Sequence, residues 1–342
     1  MTTNDAYGAG AAAAGADCAA AGAKTGAVFL SVVVPCFNEE AAIRLFYARC
    51  AEILPEMKIP CARGGGGVSF ELVFVDDGSK DGTLEVLRGL ARADERVHYL
   101  SFSRNFGKEA AMLAGLRAAA GDYTAVMDVD GQDPVDLVPE MLAVVAAKDA
   151  DCAATRRVDR AGEPPVRSFF ARRFYALMAK ITDIDIVDGA RDFRLMSRKY
   201  RDAVLSLPER GRFSKGIFPW VGFKTRWFEY ENIERAAGDT KWSFKKLFLY
   251  SLDGIIAFSA KPLAFAAVCG FAMCAAALVF MGVIIVRKFM YRLPDSGWSS
   301  IMCAVIFTGG VQLVATGILG QYLVKIYAEV KQRPHYVIQE AR

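Results

Sequence analysis

Two uncharged apolar runs lie toward the end of this chain, Pro262 to Val286 and Ser299 to Val324. A helix needs roughly 20 apolar residues to cross about 30 Å of hydrocarbon. Both runs exceed that length, so the sequence predicts two membrane spans, and buried core helices are a weak alternative. Residues 287–298 are too short for a domain, which makes the spans a hairpin whose two ends share one side. Lys261 and the lysines upstream of it, Lys241, Lys245 and Lys246, together with Lys325, Lys331 and Arg333, point to that side as cytoplasmic. Arg287, Lys288 and Arg292 in the connecting loop pull the other way, so orientation must also rest on the chemistry of the rest of the chain. The upstream lysines suit anionic headgroups or merely solvate a face. Trp242 to Ser259 reads equally as an interfacial helix or a packed connector.

The remainder of the 342 residues is enough for one globular domain of ordinary size. A formal net charge of +4 gives no argument for nucleic acid. Eight cysteines without a CxxC pair favour a reducing compartment over a disulfide framework. With only His98 and His335, the sequence gives a histidine-rich zinc site little support, and His98 in a strand-like Val97-His98-Tyr99-Leu100 reads as structural. Residues 1–27, mostly Ala and Gly, are expected to form a disordered tail, with neither the basic start nor the Leu-rich centre of a signal peptide.

From Val28 onward, short apolar strands alternate with amphipathic helices, the pattern of an α/β fold with a mostly parallel sheet covered on both faces. Strands are predicted at Val28 to Val34, Phe70 to Val75, Val97 to Ser101 and Tyr123 to Met127. Helices are predicted at Glu39 to Leu54, Thr83 to Arg92 and Lys108 to Ala120, and Gly64 to Gly67 reads as a flexible connector. In open sheets of this kind ligands bind beyond the carboxyl ends of the strands, and each predicted strand runs into polar chemistry there.

The last of these clusters, Asp128-Val-Asp130-Gly-Gln132-Asp133, packs three carboxylates into one short turn. Oxygen donors in that pattern suit a hard cation, Mg2+ or Mn2+, held by one or two carboxylates and completed by phosphate oxygens. A solvated acidic turn is the competing reading of the same residues. Asn38, Glu39, Asp76 and Asp77 at the first two strand ends could accept hydrogen bonds from a nucleobase and ribose; in the competing reading Asp76 or Ser79 caps a helix and Asp81-Gly82-Thr83 turns the chain. Arg104 and Lys108 place positive charge near the metal, fitting a diphosphate.

Four motifs together match a family. Ser31-Val-Val-Val-Pro-Cys-Phe-Asn-Glu-Glu, Val75-Asp-Asp-Gly-Ser-Lys-Asp-Gly-Thr, Ser103-Arg-Asn-Phe-Gly-Lys-Glu and Asp128-Val-Asp-Gly-Gln-Asp-Pro resemble the family 2 glycosyltransferases of the GT-A fold, a Rossmann-like doubly wound mixed sheet. More narrowly the chain resembles the polyprenyl-phosphate glycosyltransferases, the dolichyl-phosphate mannose synthases and bactoprenol glucosyltransferases. That resemblance runs from about Val28 to the end and includes Arg191-Asp-Phe-Arg-Leu-Met, Gly211-Arg-Phe-Ser-Lys-Gly and Ala237-Gly-Asp-Thr-Lys-Trp.

The resemblance implies that Asp128 and Asp130 hold the metal on a nucleotide diphosphate, with Gln132 and Asp133 beside the sugar and acceptor. Pro35, Asn38, Glu40, Asp76 and Asp77 would hold the nucleoside, with Lys108 at the diphosphate. Arg156, Arg167, Arg194 and Lys215 would meet the acceptor phosphate. Two departures stand out: Gly131 where many relatives carry Leu, and Asn232 where many carry Arg, which leaves Arg235 alone. Phe223 in place of Gln in a Gln-x-x-Arg-Trp pattern argues for a single transfer. The expected layout is a catalytic domain over 28–240, an interfacial segment over 241–261, spans over 262–286 and 299–324, and a cytoplasmic tail over 325–342.

The implied enzyme is an inverting hexosyltransferase of the inner (plasma) membrane, using UDP-glucose first, with GDP-mannose or an N-acetylated hexose donor behind it, and undecaprenyl phosphate as acceptor. Hairpins this small often need neighbours, so a homo-oligomer stays open. A lipid-linked sugar transporter is the rival class. Neither apolar run carries a charge, only Gln312 and Gln321, which gives an ion-coupled path no support. A nucleotide-binding scaffold without chemistry would keep the same ligand residues.

Overall fold

The computed structural model describes residues 28–57, 67–157, 187, 189–230, 256, 259, 261–291 and 297–342. The expectations for residues 1–27, 64–66, Arg167, 231–255 and Arg292, which include Asn232, Arg235 and most of the interfacial segment, fall outside the described residues. Two compact units emerge, one holding an eight-stranded sheet together with Pro334–Arg342, the other holding two long helices.

Within the first unit, β1 (Val28–Cys36), β2 (Val68–Asp76), β3 (Val97–Phe102) and β4 (Tyr123–Val126) are parallel neighbours in the order β4-β1-β2-β3. The apolar text of β1 and β2 is nearly continuous because both faces are covered. Helices α1 (Glu40–Ile53), α2 (Thr83–Ala93) and α3 (Lys108–Ala118) make the crossovers. Contact between α3 and the sheet is close enough that a Cβ on Gly115 would fall 2.2 Å from Val33 Cγ1.

After α4 (Val138–Ala146) the sheet becomes mixed. The strands β5 (Cys152–Arg157), β6 (Ala190–Ser197) and β7 (Thr225–Tyr230) extend it in the order β7-β5-β6-β4, with β6 antiparallel to both its neighbours. This reversal has a functional consequence. It brings the amino end of β6, Ala190-Arg191-Asp192, to the rim where β1, β2 and β4 end. Two short helices, α5 (Arg198–Leu205) and α6 (Ser214–Trp220), follow β6.

The far edge carries a strand where the sequence suggested only a tail. Ile338–Ala341 (β8) pairs antiparallel with β3, and Tyr99 and Arg342 exchange backbone hydrogen bonds of 2.9 and 3.0 Å. Tyr336 stacks on Phe102 with ring centroids 5.0 Å apart, and Glu340 accepts from Arg88 Nε at 3.0 Å and from the Tyr99 hydroxyl. Arg88 and Tyr99 hold the Glu340 carboxyl down to about 2. A carboxylate depressed in the folded state stabilises above its unfolded value, and that stability is lost as pH falls through the folded value. Hydrogen-exchange protection at Tyr99 and Arg342 is therefore expected to fall between about pH 4 and about pH 2 while β1 stays protected, and Glu340→Gln should flatten that dependence. Equal pH profiles for the wild type and Glu340→Gln would show that this carboxylate does not hold the strand.

In the second unit, α7 (Lys261–Tyr291) has 31 residues and α8 (Trp298–Val330) has 33 residues. At about 1.5 Å per residue each extends roughly 45 Å or more. Both are long and apolar enough to cross a membrane, with mean hydropathy 2.4 over Lys261–Val283 and 1.4 over Ala304–Val330. Large apolar side chains are exposed on them, as at Phe271 and Leu313. Thr308 and Thr316 hydroxyls donate back to the carbonyls of Ala304 and Gln312 at 2.7 and 2.8 Å. Those bonds satisfy both hydroxyls without water.

Candidate active site

The chain leaving β4 folds back on itself at the carboxyl rim. Asp133, only 3% exposed, accepts the Asp128 N–H at 2.8 Å through Oδ2 and the Tyr230 hydroxyl at 3.3 Å through Oδ1. Burial and the neighbouring Asp128 push the Asp133 carboxyl up to about 7, against the opposing pull of Arg191, whose guanidinium lies 3.7 Å away. Gln132 donates its N–H to Asp130 Oδ1 at 3.1 Å, closing a tight turn. The turn is centred on Gly131, whose φ of 75° is a conformation that glycine adopts without strain. The Gln132 side chain accepts from Arg191 at 3.2 Å.

Beside this loop, two carboxylates converge on one ammonium. Lys108 Nζ, on the first residue of α3, lies 2.7 and 2.8 Å from the two oxygens of Asp128 and 2.6 Å from Asp192 Oδ2. Strand register explains the meeting: Val126 opposes Arg194 in the β4–β6 ladder, and continuing the count sets Asp128 opposite Asp192. Burial opposes the charge on Lys108, yet Asp128 and Asp192 outweigh it and hold the ammonium well above its ordinary range. Burial would also raise Asp192, but Lys108 and then Lys215 hold it well below the usual carboxylate range.

The neighbouring residue of α3 fixes a second wall. Glu109, raised by its own burial, accepts the Ser214 N–H at 3.0 Å and its hydroxyl, and so anchors the start of α6 next to Lys215. Arg194 is 3% exposed, with its guanidinium 3.5 Å above the Phe218 ring of α6 and one nitrogen donating to the Arg191 carbonyl at 3.1 Å. Its Nε is buried without a hydrogen-bond partner among the described residues. Arg156 lies near the end of β5 and donates to Glu229 of β7 at 3.0 Å, an exposed cross-strand pair.

On the nucleoside side, Pro35 stands next to the last residue of β1, and Asp76 and Asp77 are buried where β2 ends. Asp76 accepts from Ser79 N–H at 3.0 Å and from the Ser101 hydroxyl at 2.8 Å. Asp77 accepts the Phe106 and Gly107 N–H groups at 2.7 and 2.9 Å, capping α3 from outside the helix. Asn38, at φ 55°, accepts from Lys80 N–H at 2.8 Å, and Glu40 accepts from Gly82 N–H at 3.1 Å. These side chains tie the loops after β1, β2 and β3 together.

The donor chemistry fits a hard divalent ion. Asp128 and Asp192 already gather around the Lys108 ammonium, and Asp130 stands two residues on. Among the described residues no three His, Cys, Asp or Glu side chains form a ready cage. A cation here would take one or two protein oxygens and complete its shell with phosphate, the usual habit of Mg2+.

Arg191, Asp192, Glu109 and Tyr230 were given no role from sequence. A usable signal existed for the first two: a pair of opposite charges directly before Phe193-Arg-Leu-Met, the start of a buried strand, where charge survives only if it meets a partner.

The chain is similar to known proteins over most of its length. The family model described as "Glycosyl transferase family 2" matches residues 31–205. A prophage bactoprenol glucosyl transferase homolog of Escherichia coli is 39% identical over 313 residues, 92% of this chain and 99% of its own. The bactoprenol glucosyl transferase of Shigella phage SfII is 39% identical over 312 residues, 91% and 98% of the two chains. An uncharacterized glycosyltransferase of Synechocystis is 37% identical over 311 residues, 91% and 95%. Among solved structures, glucosyl-3-phosphoglycerate synthase from Mycobacterium tuberculosis is 22% identical, with a TM-score of 0.48 over 70% of this chain and 80% of that one.

Proposed function

The chain belongs to glycosyl transferase family 2, and from that premise we propose that it moves one hexose from a nucleotide sugar to a polyprenyl phosphate at the cytoplasmic face of the inner membrane. Glucose from UDP-glucose is the leading donor and undecaprenyl phosphate the acceptor. The observation that carries this reading is the convergence of Asp128, Lys108 and Asp192 at the carboxyl rim, next to Arg191 and Lys215. A nucleotide diphosphate needs that combination of carboxylates for a metal and cations for its leaving charge. The acceptor is supported by relatives named for bactoprenol, matched over nearly their whole length.

In this reading Asp128 and Asp130 would hold Mg2+ or Mn2+, which when bound would supply charge neutralisation for the departing diphosphate. Lys108 adds a further cation beside it. The acceptor phosphate is largely dianionic at neutral pH, since the second pKa of such groups is near about 6. It therefore attacks without a strong base, and the protein's task is alignment. Arg194 and Lys215 would orient it, together with Arg156 once its pair with Glu229 opens. Arg191 fixes Gln132 and Asp133 beside the sugar. Asn38, Glu40, Asp76 and Asp77 shape the nucleoside wall with Pro35. Residues 262–286 and 299–324 would anchor the enzyme at its lipid substrate.

Incubating membranes that hold the protein with labelled UDP-glucose, GDP-mannose or UDP-N-acetylglucosamine and undecaprenyl phosphate, then extracting the lipid, tests this. One hexose per lipid, with the anomeric configuration opposite to the donor's, is expected. Retained configuration would end the direct displacement, and absence of label from every donor would end the functional reading.

A further inference from the structure

The Lys108 ammonium touches both Asp128 oxygens and Asp192, and those Asp128 oxygens are the ones that a metal there would need. Two carboxylates and one ammonium leave the cluster with a single negative charge. Adding a divalent cation alone sets two positive groups side by side on the same oxygens. Adding a diphosphate alone brings at least two more negative charges up against the Asp128 and Asp192 carboxylates. Only the pair arrives with its charges largely cancelled, and it also offers the displaced ammonium new oxygen partners.

We propose that Lys108 is an exchangeable counter-ion, held by Asp128 and Asp192 in the free enzyme and transferred to the diphosphate when Asp128 is released to the metal. Asp192, a residue to which sequence reasoning gave no role, then belongs to the donor site as the second holder of that ammonium. The inference rests on the metal-dependent nucleotide reading and deepens it. No bond to carbon or phosphorus is made or broken; one set of ionic contacts replaces another.

Geometry favours a side chain able to make this move. Lys108 stands at the start of α3 on a flexible four-carbon stem, and its side chain is 41% exposed. Its backbone does not have to follow. The preceding Gly107 N–H is held by Asp77 at 2.9 Å, and Glu109 is fixed to Ser214. An anchored helix start with one mobile charge is what an exchange of partners requires.

The consequence is mutual dependence: metal and nucleotide each bind weakly alone and strengthen one another by about 10- to 100-fold, equally in both directions. The test is calorimetric or electron-paramagnetic titration of the full chain in detergent with Mn2+ alone, UDP or GDP alone, and both together. Wild type should show that coupling. Lys108→Met should bind Mn2+ alone about 10-fold more tightly and lose most of the coupling, while Lys108→Arg should keep it. Asp192→Asn should leave Lys108 on Asp128 alone and reduce the coupling. Wild-type affinity for Mn2+ that is the same with and without nucleotide overturns the exchange, and that arm needs no variant to fold. Unchanged or weaker Mn2+ binding by a folded Lys108→Met protein overturns it as well. If wild type binds neither partner even in combination, the underlying nucleotide-site reading fails instead.

Discussion

Asp130→Asn is expected to lower hexose transfer to the lipid phosphate by about 10^3-fold while the protein keeps its fold. The substitution is chosen because Asp130 Oδ1 accepts the Gln132 N–H at 3.1 Å, and an asparagine oxygen can accept the same bond. The turn at Gly131 should survive, and what disappears is one negative charge beside Asp128. If that charge holds a divalent ion against the diphosphate, the leaving group loses its main neutraliser and the rate collapses. Thermal melting should move little, since the residue is only half-buried and its backbone contacts persist. Initial rates with saturating donor and acceptor, alongside melting curves, decide the matter. Activity within about twofold of wild type would remove Asp130 from the metal assignment.

Gly78→Ala should be the most damaging single-methyl change among these loops. Gly78 has φ 68°, and a Cβ there would lie 2.4 Å from the Arg104 carbonyl carbon and 2.8 Å from the Asn105 nitrogen. Those are backbone atoms, and they cannot easily retreat, because Asp77 grips the N–H groups of Phe106 and Gly107. Overpacking and left-handed strain together point to a loss of about 2 to 5 kcal/mol, or roughly 5 to 15 °C in melting temperature. Gly89→Ala in the middle of α2 is the matched control, since a Cβ there meets nothing within 4 Å among the described residues. It should be neutral or stabilising by up to about 1 kcal/mol. A Gly78→Ala protein that melts with the wild type would mean that the two loops are not held together as tightly as the hydrogen bonds imply.

The amino-terminal half of the sheet was legible because its signals are local. Val28–Cys36 and Val68–Asp76 are largely apolar strands, each followed by a polar cluster and a helix of clear period, so their ends fell within about two residues of expectation. The carboxylates of 128–133 were legible for the same reason, being close together in the chain. What could not be read was partnership across distance. Lys108 looked like a diphosphate ligand, but only the antiparallel β6 brings Asp192 to it, from 84 residues away. Arg156 was grouped with the acceptor cations, yet the parallel pairing of β5 with β7 sets it beside Glu229. β8 was missed because Ile338–Ala341 is short and half exposed. That is typical of an edge strand and indistinguishable in text from a loop.

That last strand carries a topological consequence for the two apolar helices. A polypeptide that departs from a folded body after β7 and returns to lie hydrogen-bonded along β3 must begin and finish its excursion in one aqueous compartment. Whatever barrier it traverses on the way, it does so an even number of times. A single pass by α7, with α8 lying flat outside, would strand Glu340 and Arg342 on the wrong side of the lipid from Arg88 and Tyr99. The pairing of a few residues at one sheet margin thus constrains how the whole hairpin can thread.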